Sequence, residues 1–406
     1  MRILFLSDNF PPESNAPATR TYEHTREWVK EGHQVRVITC APNFPRGQVF
    51  LGYQNHWYHQ SHTDGIEVIR VKTYIAANDG FFRRTLDYLS FAVTSFFAGL
   101  FQPKPDILVA TSPQFFTVIS GWLLSCFFRC KFVFELRDLW PESIVAVGAM
   151  KRGLLIKLLE RLELFLYHCA DCIVAVTHAF KQNLVSRGVP ASKIFVVLNG
   201  VDLSKYSPSK SKDEVLAQQL GINNKFVVAY LGTHGMAHGL DKVLDCAYLL
   251  KEYSDIVFLF AGDGAERPKL LEKRQNLGLT NVIMHEAFPK EDMHRVWSLA
   301  NLALIPLRNL DTFKTVIPSK IFEAMAQGIP LLISLPEGET TELVRNIGSG
   351  VVVEPENPEA MAQAVLKLYR DKELVQTIRG ACLKQSANFD RTQLAHNMLT
   401  ILSNQL

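Results

Sequence analysis

Two side chains three residues apart carry the sharpest chemistry in this sequence. Lys320 and Glu323 lie in the stretch FKTVIPSKIFEAMAQGIP, residues 313–330. Pro318 and Ser319 mark a helix start and Gly328 marks its end. Lys320 and Glu323 then share one helix face, where a simple ion pair is the plain reading. Phe322, Met325 and Ala326 nevertheless surround Glu323 with apolar helix, and a carboxylate near an interior needs partners. Two vicinal ribose hydroxyls suit it, because one carboxylate can accept both.

Two glycine-rich turns sit close to strand-like runs. Gly232-Thr233-His234-Gly235-Met-Ala-His238-Gly239 follows FVVAYL and opens a helix near Leu240. Small residues there let backbone N–H groups approach a phosphate, and the helix dipole favours negative charge. An ordinary tight turn is the plainer alternative. Gly262-Asp263-Gly264 follows IVFLFA at the same expected sheet edge. His234 and His238 are four apart, and His56, His59 and His62 are three apart. Neither set has the acidic partner or regular helix that would make a metal site of it. A third cluster, Arg137, Asp138 and Glu142 in FELRDLWPES, falls just past another strand; a salt-bridged turn is its plain reading.

Several chemistries are excluded by what the chain lacks. No GxGxxG follows the first strand and no GxxxxGK[ST] occurs, so dinucleotide and P-loop fingerprints are missing. There is no D-x-D pair to hold a divalent ion on a diphosphate. Charge on such a group would have to be met by helix N-termini and basic side chains, with no metal and no other cofactor.

These residues need a scaffold that brings strand ends together. Strand-like runs RILFLS, QVRVIT, EVIRV, DILVAT, KFVFEL, CIVAVT and IFVVLN alternate with helical patterns in the first half. FVVAYLG, IVFLFAG, VIMHEA, LALIPL, PLLISL and GVVVEP do so in the second. Apolar strands separated by helices predict an α/β protein of two doubly wound parallel sheets facing a cleft. Ligands of such sheets bind at the carboxyl ends of the strands. The expected division is a domain over 1–200, a polar linker over 201–224, a second domain over 225–387, and a helix over 388–406 that crosses back to the first domain.

The 406 residues suffice for two domains, and 48 % hydrophobic against 20 % charged residues gives each a core. A net charge of +3 offers no support for a nucleic-acid partner. Seven scattered cysteines fit reduced thiols, and Cys169-x-x-Cys172 reads as two core residues. The apolar runs 89–101 and 115–128 are shorter than the roughly 20 residues of a spanning helix. With no secretory signal after Met1, a cytoplasmic protein is expected. The segment 81–101 begins with an aromatic–basic cluster containing Arg83 and Arg84. It reads either as a core helix or as an interfacial helix on anionic lipid.

Taken in order, YLGTHGMAHGLD, FLFAGDGAE, ANLALIPL and PSKIFEAMAQGIPLL resemble the retaining family-four glycosyltransferases of the GT-B fold over most of the second half. GHQVRVIT, VLNGVD and FELRDLWPES add to the resemblance from the first. The His-Gly-rich loop, RDLWPES and FKTVIPSKIFEAMA are most similar to bacterial O-antigen and capsule N-acetyl-L-fucosamine transferases. The resemblance implies retention and a UDP-linked donor such as an N-acetylated deoxyhexosamine. It also implies a glycan or polyprenyl-diphosphate-linked acceptor, reached by peripheral contact with the cytoplasmic face of the inner membrane. Glu323 matches the second glutamate of the family's Glu-x7-Glu motif, which grips the ribose. The first falls on Thr315, and the family's diphosphate Arg and Lys fall on Thr233 and His238. The implied donor site comprises Gly232, Thr233, His234, Gly235, Gly262, Asp263, Gly264, Thr315, Pro318, Ser319 and Glu323. Arg308, Lys314 and Lys320 are the substitute cations, and His234 assists them. Asn15 and Arg20 of the altered loop 14–20, with Arg137, Asp138 and Glu142, line the acceptor side. Asp138 is expected to orient the acceptor hydroxyl, and Lys320 and Glu323 complete the catalytic set. Two alternatives share the fold: a nucleotide-sugar 2-epimerase and a non-catalytic nucleotide-binding protein.

Overall fold

The computed structural model describes every residue except 45, 77–80, 113–114, 143–144, 146–152 and 209–210, and leaves aside the side chains of Phe81 and Phe82. The end of the RDLWPES segment at Ser143, and Ser209 and Lys210 of the expected linker, fall outside the described residues. Two compact units are present, Met1–Asn199 with Arg391–Leu406, and Gly200–Asp390. The stretch read as a linker contains a short helix, Glu214–Gln219, capped by the side chain of Asp213.

The first unit holds an eight-stranded sheet. Its strands are β1 (Arg2–Leu6), β2 (Gln34–Cys40), β3 (Tyr58–Thr63), β4 (Ile66–Val71), β5 (Ile107–Thr111), β6 (Lys131–Leu136), β7 (Cys172–Ala175) and β8 (Ile194–Val196). They lie in the order β3-β4-β2-β1-β5-β6-β7-β8. All pairs are parallel except β3 with β4. That edge hairpin departs from the parallel sheet expected from the sequence. Its cause is Asp64-Gly65, whose φ values of 49° and 80° make a turn matching the twist of paired strands. The inner strands are buried over most of their length, β5 and β7 over all of it, so they read as apolar runs. The C-terminal helix Arg391–Ser403 packs on the first helix, Ala16–Lys30. There Trp28 Nε1 donates to the carbonyl of Ala395 at 2.9 Å, and Leu394, Met398, Leu399 and Leu402 join the core.

The second unit holds six parallel strands, β9 (Phe226–Leu231), β10 (Ile256–Ala261), β11 (Val282–His285), β12 (Leu302–Pro306), β13 (Leu331–Ser334) and β14 (Gly350–Val353). Their order is β11-β10-β9-β12-β13-β14. In each sheet the chain first winds one way and then the other, reversing between β1 and β5 and between β9 and β12. The crevice at such a reversal is where open parallel sheets bind ligands.

Candidate functional site in each unit

In the second unit the glycine turns meet at the carboxyl ends of β9 and β10. His234 N donates to the carbonyl of Asp263 at 2.9 Å, and Gly232 N donates to that of Ala261 at 2.9 Å. The turns approach so closely that side chains do not fit. A Cβ on Gly262 would stand 1.8 Å from the Gly232 carbonyl oxygen, and one on Gly264 would stand 2.6 Å from that of His234. Gly235 N-caps a short turn that ends at Gly239, in the left-handed region at φ 55°, before the helix Leu240–Leu249. Thr233 is exposed, and its carbonyl accepts from Tyr230 Oη at 2.6 Å. The carboxylate of Asp263 turns back to accept from Gly264 N at 2.8 Å.

The helix Lys320–Ala326 brings the two paired candidates to this edge. Ser319 precedes it without a side-chain cap, and the Pro318 and Ser319 carbonyls accept from its first N–H groups. The ion pair open on sequence grounds is not formed. Lys320 Nζ instead lies 4.1 Å from the centroid of the Tyr230 ring, a cation–π contact. It occupies the space beside Gly232, 2.8 Å from where a Cβ would be. Burial lowers the Lys320 pKa to about 8, against the opposing pull of Glu323. Glu323 is half-buried and accepts from Trp297 Nε1 at 3.1 Å through one oxygen.

The remaining cation candidates are otherwise engaged. Arg308 donates from Nε to the Met236 carbonyl at 2.6 Å and lies between Asp241 at 3.4 Å and Glu356 at 3.5 Å. Lys314 is exposed and pairs with Asp311 at 2.7 Å. Thr315 donates to the Thr312 carbonyl at 3.0 Å. His234 is fully buried; burial, then Arg267, lowers its pKa to about 4. Burial, then Lys320, lowers that of His238 to about 3. Both imidazoles are neutral at pH 7, so neither adds to the positive charge of this edge. Among the described residues, no cluster of three or more His, Cys, Asp or Glu could hold a metal ion.

In the first unit the expected acceptor residues separate into two kinds. Arg20 is buried, 2 % exposed, with its donors turned inward. Nε meets Glu135 at 2.8 Å, while the terminal nitrogens reach the carbonyls of Val197 and Leu198 at 3.0 and 2.7 Å. It fastens the first helix to the chain after β8 and is unavailable to a ligand, which corrects its assignment to the acceptor. Arg137 donates to the Ala16 and Pro17 carbonyls at 2.9 and 3.1 Å, tying β6 to the start of the first helix. Burial brings its pKa down to about 10. Asn15 caps that helix by accepting from Ala18 N at 2.9 Å. Asp138 is half-buried past β6, with its N–H on Ser112 Oγ at 3.3 Å, and Glu142 is exposed.

Sequence reasoning missed several residues at these two edges. Asp8 follows β1 at the reversal point, and Glu13 and Asp87 act on it electrostatically. Burial, then Glu13, raises the pKa values of Asp8 and Asp87 to about 7. The Asp in LSDNF, directly after the first strand, was the available signal. Tyr230 and Trp297 were also missed, because an aromatic in an apolar run reads as core.

Comparison with known proteins fits this geometry. Residues 15–200 match the model of the glycosyl transferase 4-like domain, and residues 212–382 match that of glycosyl transferases group 1. The putative colanic acid biosynthesis glycosyl transferase WcaI of Escherichia coli is 26 % identical over 90 % of this chain and 91 % of its own. The UDP-Gal:alpha-D-GlcNAc-diphosphoundecaprenol alpha-1,3-galactosyltransferase of Escherichia coli is 24 % identical over 52 % of this chain and 55 % of its own. Anabaena HepE, solved in complex with UDP-glucose, superposes with a TM-score of 0.74 over all of both chains at 18 % identity, a likeness of fold. With GT-B architecture and one glycosyltransferase domain model matched in each half, the chain belongs to the group 1 glycosyltransferases.

Proposed function

We propose that this chain is a retaining, metal-independent glycosyltransferase. It moves a sugar from a UDP-linked donor to a glycan or polyprenyl-diphosphate-linked acceptor in bacterial surface polysaccharide assembly. The observation that carries this reading is the edge of the second unit, where Gly232, Gly262 and Gly264 leave room only for backbone and Lys320 stands beside them. A diphosphate suits such a place, beside the start of the helix Leu240–Leu249 and within reach of the Lys320 amine. Glu323 takes the ribose hydroxyls, and the glycine turns with Thr315, Pro318 and Ser319 frame the rest of the donor. The named activities of WcaI and the galactosyltransferase support a polysaccharide role and a lipid-linked acceptor. The motif set supports an N-acetylated deoxyhexosamine such as N-acetyl-L-fucosamine.

In the reaction, the bond between the sugar's anomeric carbon and the diphosphate oxygen breaks. The acceptor oxygen bonds to that carbon on the same face, and the acceptor proton passes to the departing phosphate. Asp138, with Asn15, Arg137 and Glu142 nearby in sequence or contact, orients the acceptor. Lys320 stabilises charge that grows on the leaving group, which is where binding energy accelerates a reaction.

The helix Phe81–Leu100 supports work at the cytoplasmic face of the inner membrane. Leu86, Leu89, Val93 and Phe97 are exposed along it, Phe101 follows at 85 % exposure, and Arg83 and Arg84 are exposed at its start. No helix among the described residues is long and apolar enough to cross a membrane. Charge reversal, Arg83→Glu with Arg84→Glu, is expected to abolish sedimentation with anionic liposomes. Unchanged binding would remove the lipid contact.

The test of the activity is nucleotide release from a panel of nucleotide sugars, with and without EDTA and membrane lipid extract. Release from one donor, indifferent to EDTA and dependent on extract, is the expected result. A new nucleotide sugar without release would indicate the epimerase. Tight nucleotide binding with neither product would indicate a binding protein.

A further inference from the structure

Glu323 has two carboxylate oxygens, and the structure treats them differently. One accepts from Trp297 Nε1 at 3.1 Å. No hydrogen bond reaches the other among the described residues. Trp297 lies on the helix Met293–Leu299 and is fully buried. The same two helices are laced a turn further on, where Gln327 Nε2 donates to the His294 carbonyl at 2.9 Å. Lys320, one turn earlier on Glu323's own helix, gives it no ion pair because its amine is drawn to the Tyr230 ring. Among the described residues, Trp297 is therefore the one side chain that fixes where this carboxylate points.

We infer that Trp297 is the positioning residue for nucleotide recognition. Its indole N–H holds one oxygen of Glu323 and presents the other, unsatisfied, to the ribose of the donor. An indole N–H is donor-only, so it cannot accept from a ribose hydroxyl or compete for one. A buried, rotamer-locked donor also removes the freedom a half-buried glutamate would otherwise lose on binding. The inference rests on the proposed reading of Glu323 as the ribose contact.

The test compares UDP with 2′,3′-dideoxy-UDP by calorimetry on the full chain, wild type and Trp297→Phe. Phenylalanine keeps an aromatic ring in the core and deletes the N–H. Wild type is expected to favour UDP at least tenfold, and Trp297→Phe to lose about tenfold of that preference, the order of one hydrogen bond to a charged group. Dideoxy-UDP affinity should hardly change. A variant that weakens both ligands equally, keeping the ratio, would show a structural role and overturn the inference while leaving the ribose reading intact. Equal affinities in wild type would overturn the ribose reading and the inference together. Should Trp297→Phe not fold, the wild-type indole N–H resonances give a second measure. The signal displaced by Glu323→Gln belongs to Trp297, and it should move with UDP and stay with dideoxy-UDP. Failure to move with UDP overturns the inference.

Discussion

The two units present the same kind of sheet edge and furnish it with opposite materials. At the end of β9 the second unit is walled by backbone, with Gly262 against Gly232 and Gly264 against His234, and its cations are tied down, Lys320 on an aromatic ring and Arg267 on the Gly262 carbonyl at 3.1 Å. At the ends of β1 and β6 the first unit is crowded with ionisable side chains, Asp8, Glu13, Asp87, Arg20, Glu135 and Arg137. A backbone-walled edge tolerates almost no added atom but is indifferent to most charges. A charge-filled edge tolerates changes of shape better than changes of protonation. Substitution and pH should therefore separate the units.

The largest effect is expected from the buried pair of the first unit. Arg20 and Glu135 are 2 % and 1 % exposed and meet at 2.8 Å. Burial pushes Glu135 up in pKa, and Arg20 and Arg137 more than offset it, so the carboxylate stays ionised. Removing one member, as in Arg20→Ala, leaves a buried charge without its partner and should cost about 3–5 kcal/mol. Urea unfolding of the full chain measures it. A loss below about 1 kcal/mol would mean the pair is not a stabilising element, and the contrast between the units would lose its main support.

Next comes the backbone wall. In Gly262→Ala the new methyl meets the Gly232 carbonyl at an impossible 1.8 Å, so the two turns must part. Overpacking of this kind costs about 1–3 kcal/mol. UDP binding by calorimetry should fall below detection even where the fold survives. Retained UDP affinity would show that the glycine turns do not form the donor site. The cation follows in size. With a pKa of about 8, Lys320 is charged at pH 7 and loses its charge as pH rises through 8. Above pH 7, where the terminal phosphate of UDP is fully ionised, UDP affinity should therefore begin to fall and weaken toward at most tenfold per pH unit above 8. Lys320→Met should be weaker at pH 7 and lack the alkaline limb. An identical limb in Lys320→Met would place the titration elsewhere.

These contrasts also explain what could be read in advance. The second unit's edge was legible because its parts are contiguous words, Gly-Thr-His-Gly, Gly-Asp-Gly and Pro-Ser-Lys-x-x-Glu, each tied to a strand end or helix start. The alternation of strands and helices gave the sheets, apart from the β3 hairpin, whose Asp-Gly turn lay in a polar stretch. The first unit's network joins residues 115, 178 and 368 positions apart, Arg20 to Glu135, Arg20 to Leu198 and Arg391 to Glu23. No periodicity or spacing encodes such partners, so Arg20 read as a ligand residue although it is a fastener. Trp297 was hidden for another reason: its indole serves the core with its ring and Glu323 with its N–H.

The smallest expected effect tests the first unit's carboxyl group by proton linkage. Asp8 and Asp87 hold their protons to about pH 7 in the folded chain, chiefly through burial and then through Glu13, whereas an unfolded aspartate releases its proton near 3.8. Between those limits the folded state binds more protons than the unfolded state, so stability falls as pH rises. The contribution is complete below about pH 4 and is lost as pH passes through 7. His24, His234 and His238, held neutral by burial, act in the opposite direction below about pH 6.5, so the carboxyl contribution is read as the difference in thermal midpoint between wild type and variant, which should fall between pH 4.5 and 7.5. Asp8→Asn removes one of the two titrating aspartates, so wild type should lose stability relative to it across that range, and by about twice as much relative to Asp8→Asn with Asp87→Asn. Lys320 does not blur the reading, because its pKa of about 8 lies above that range. If Asp8→Asn keeps the wild-type slope, the end of β1 is an ordinary solvated carboxylate. The first unit's edge would then owe its difference from the second to Arg20, Glu135 and Arg137.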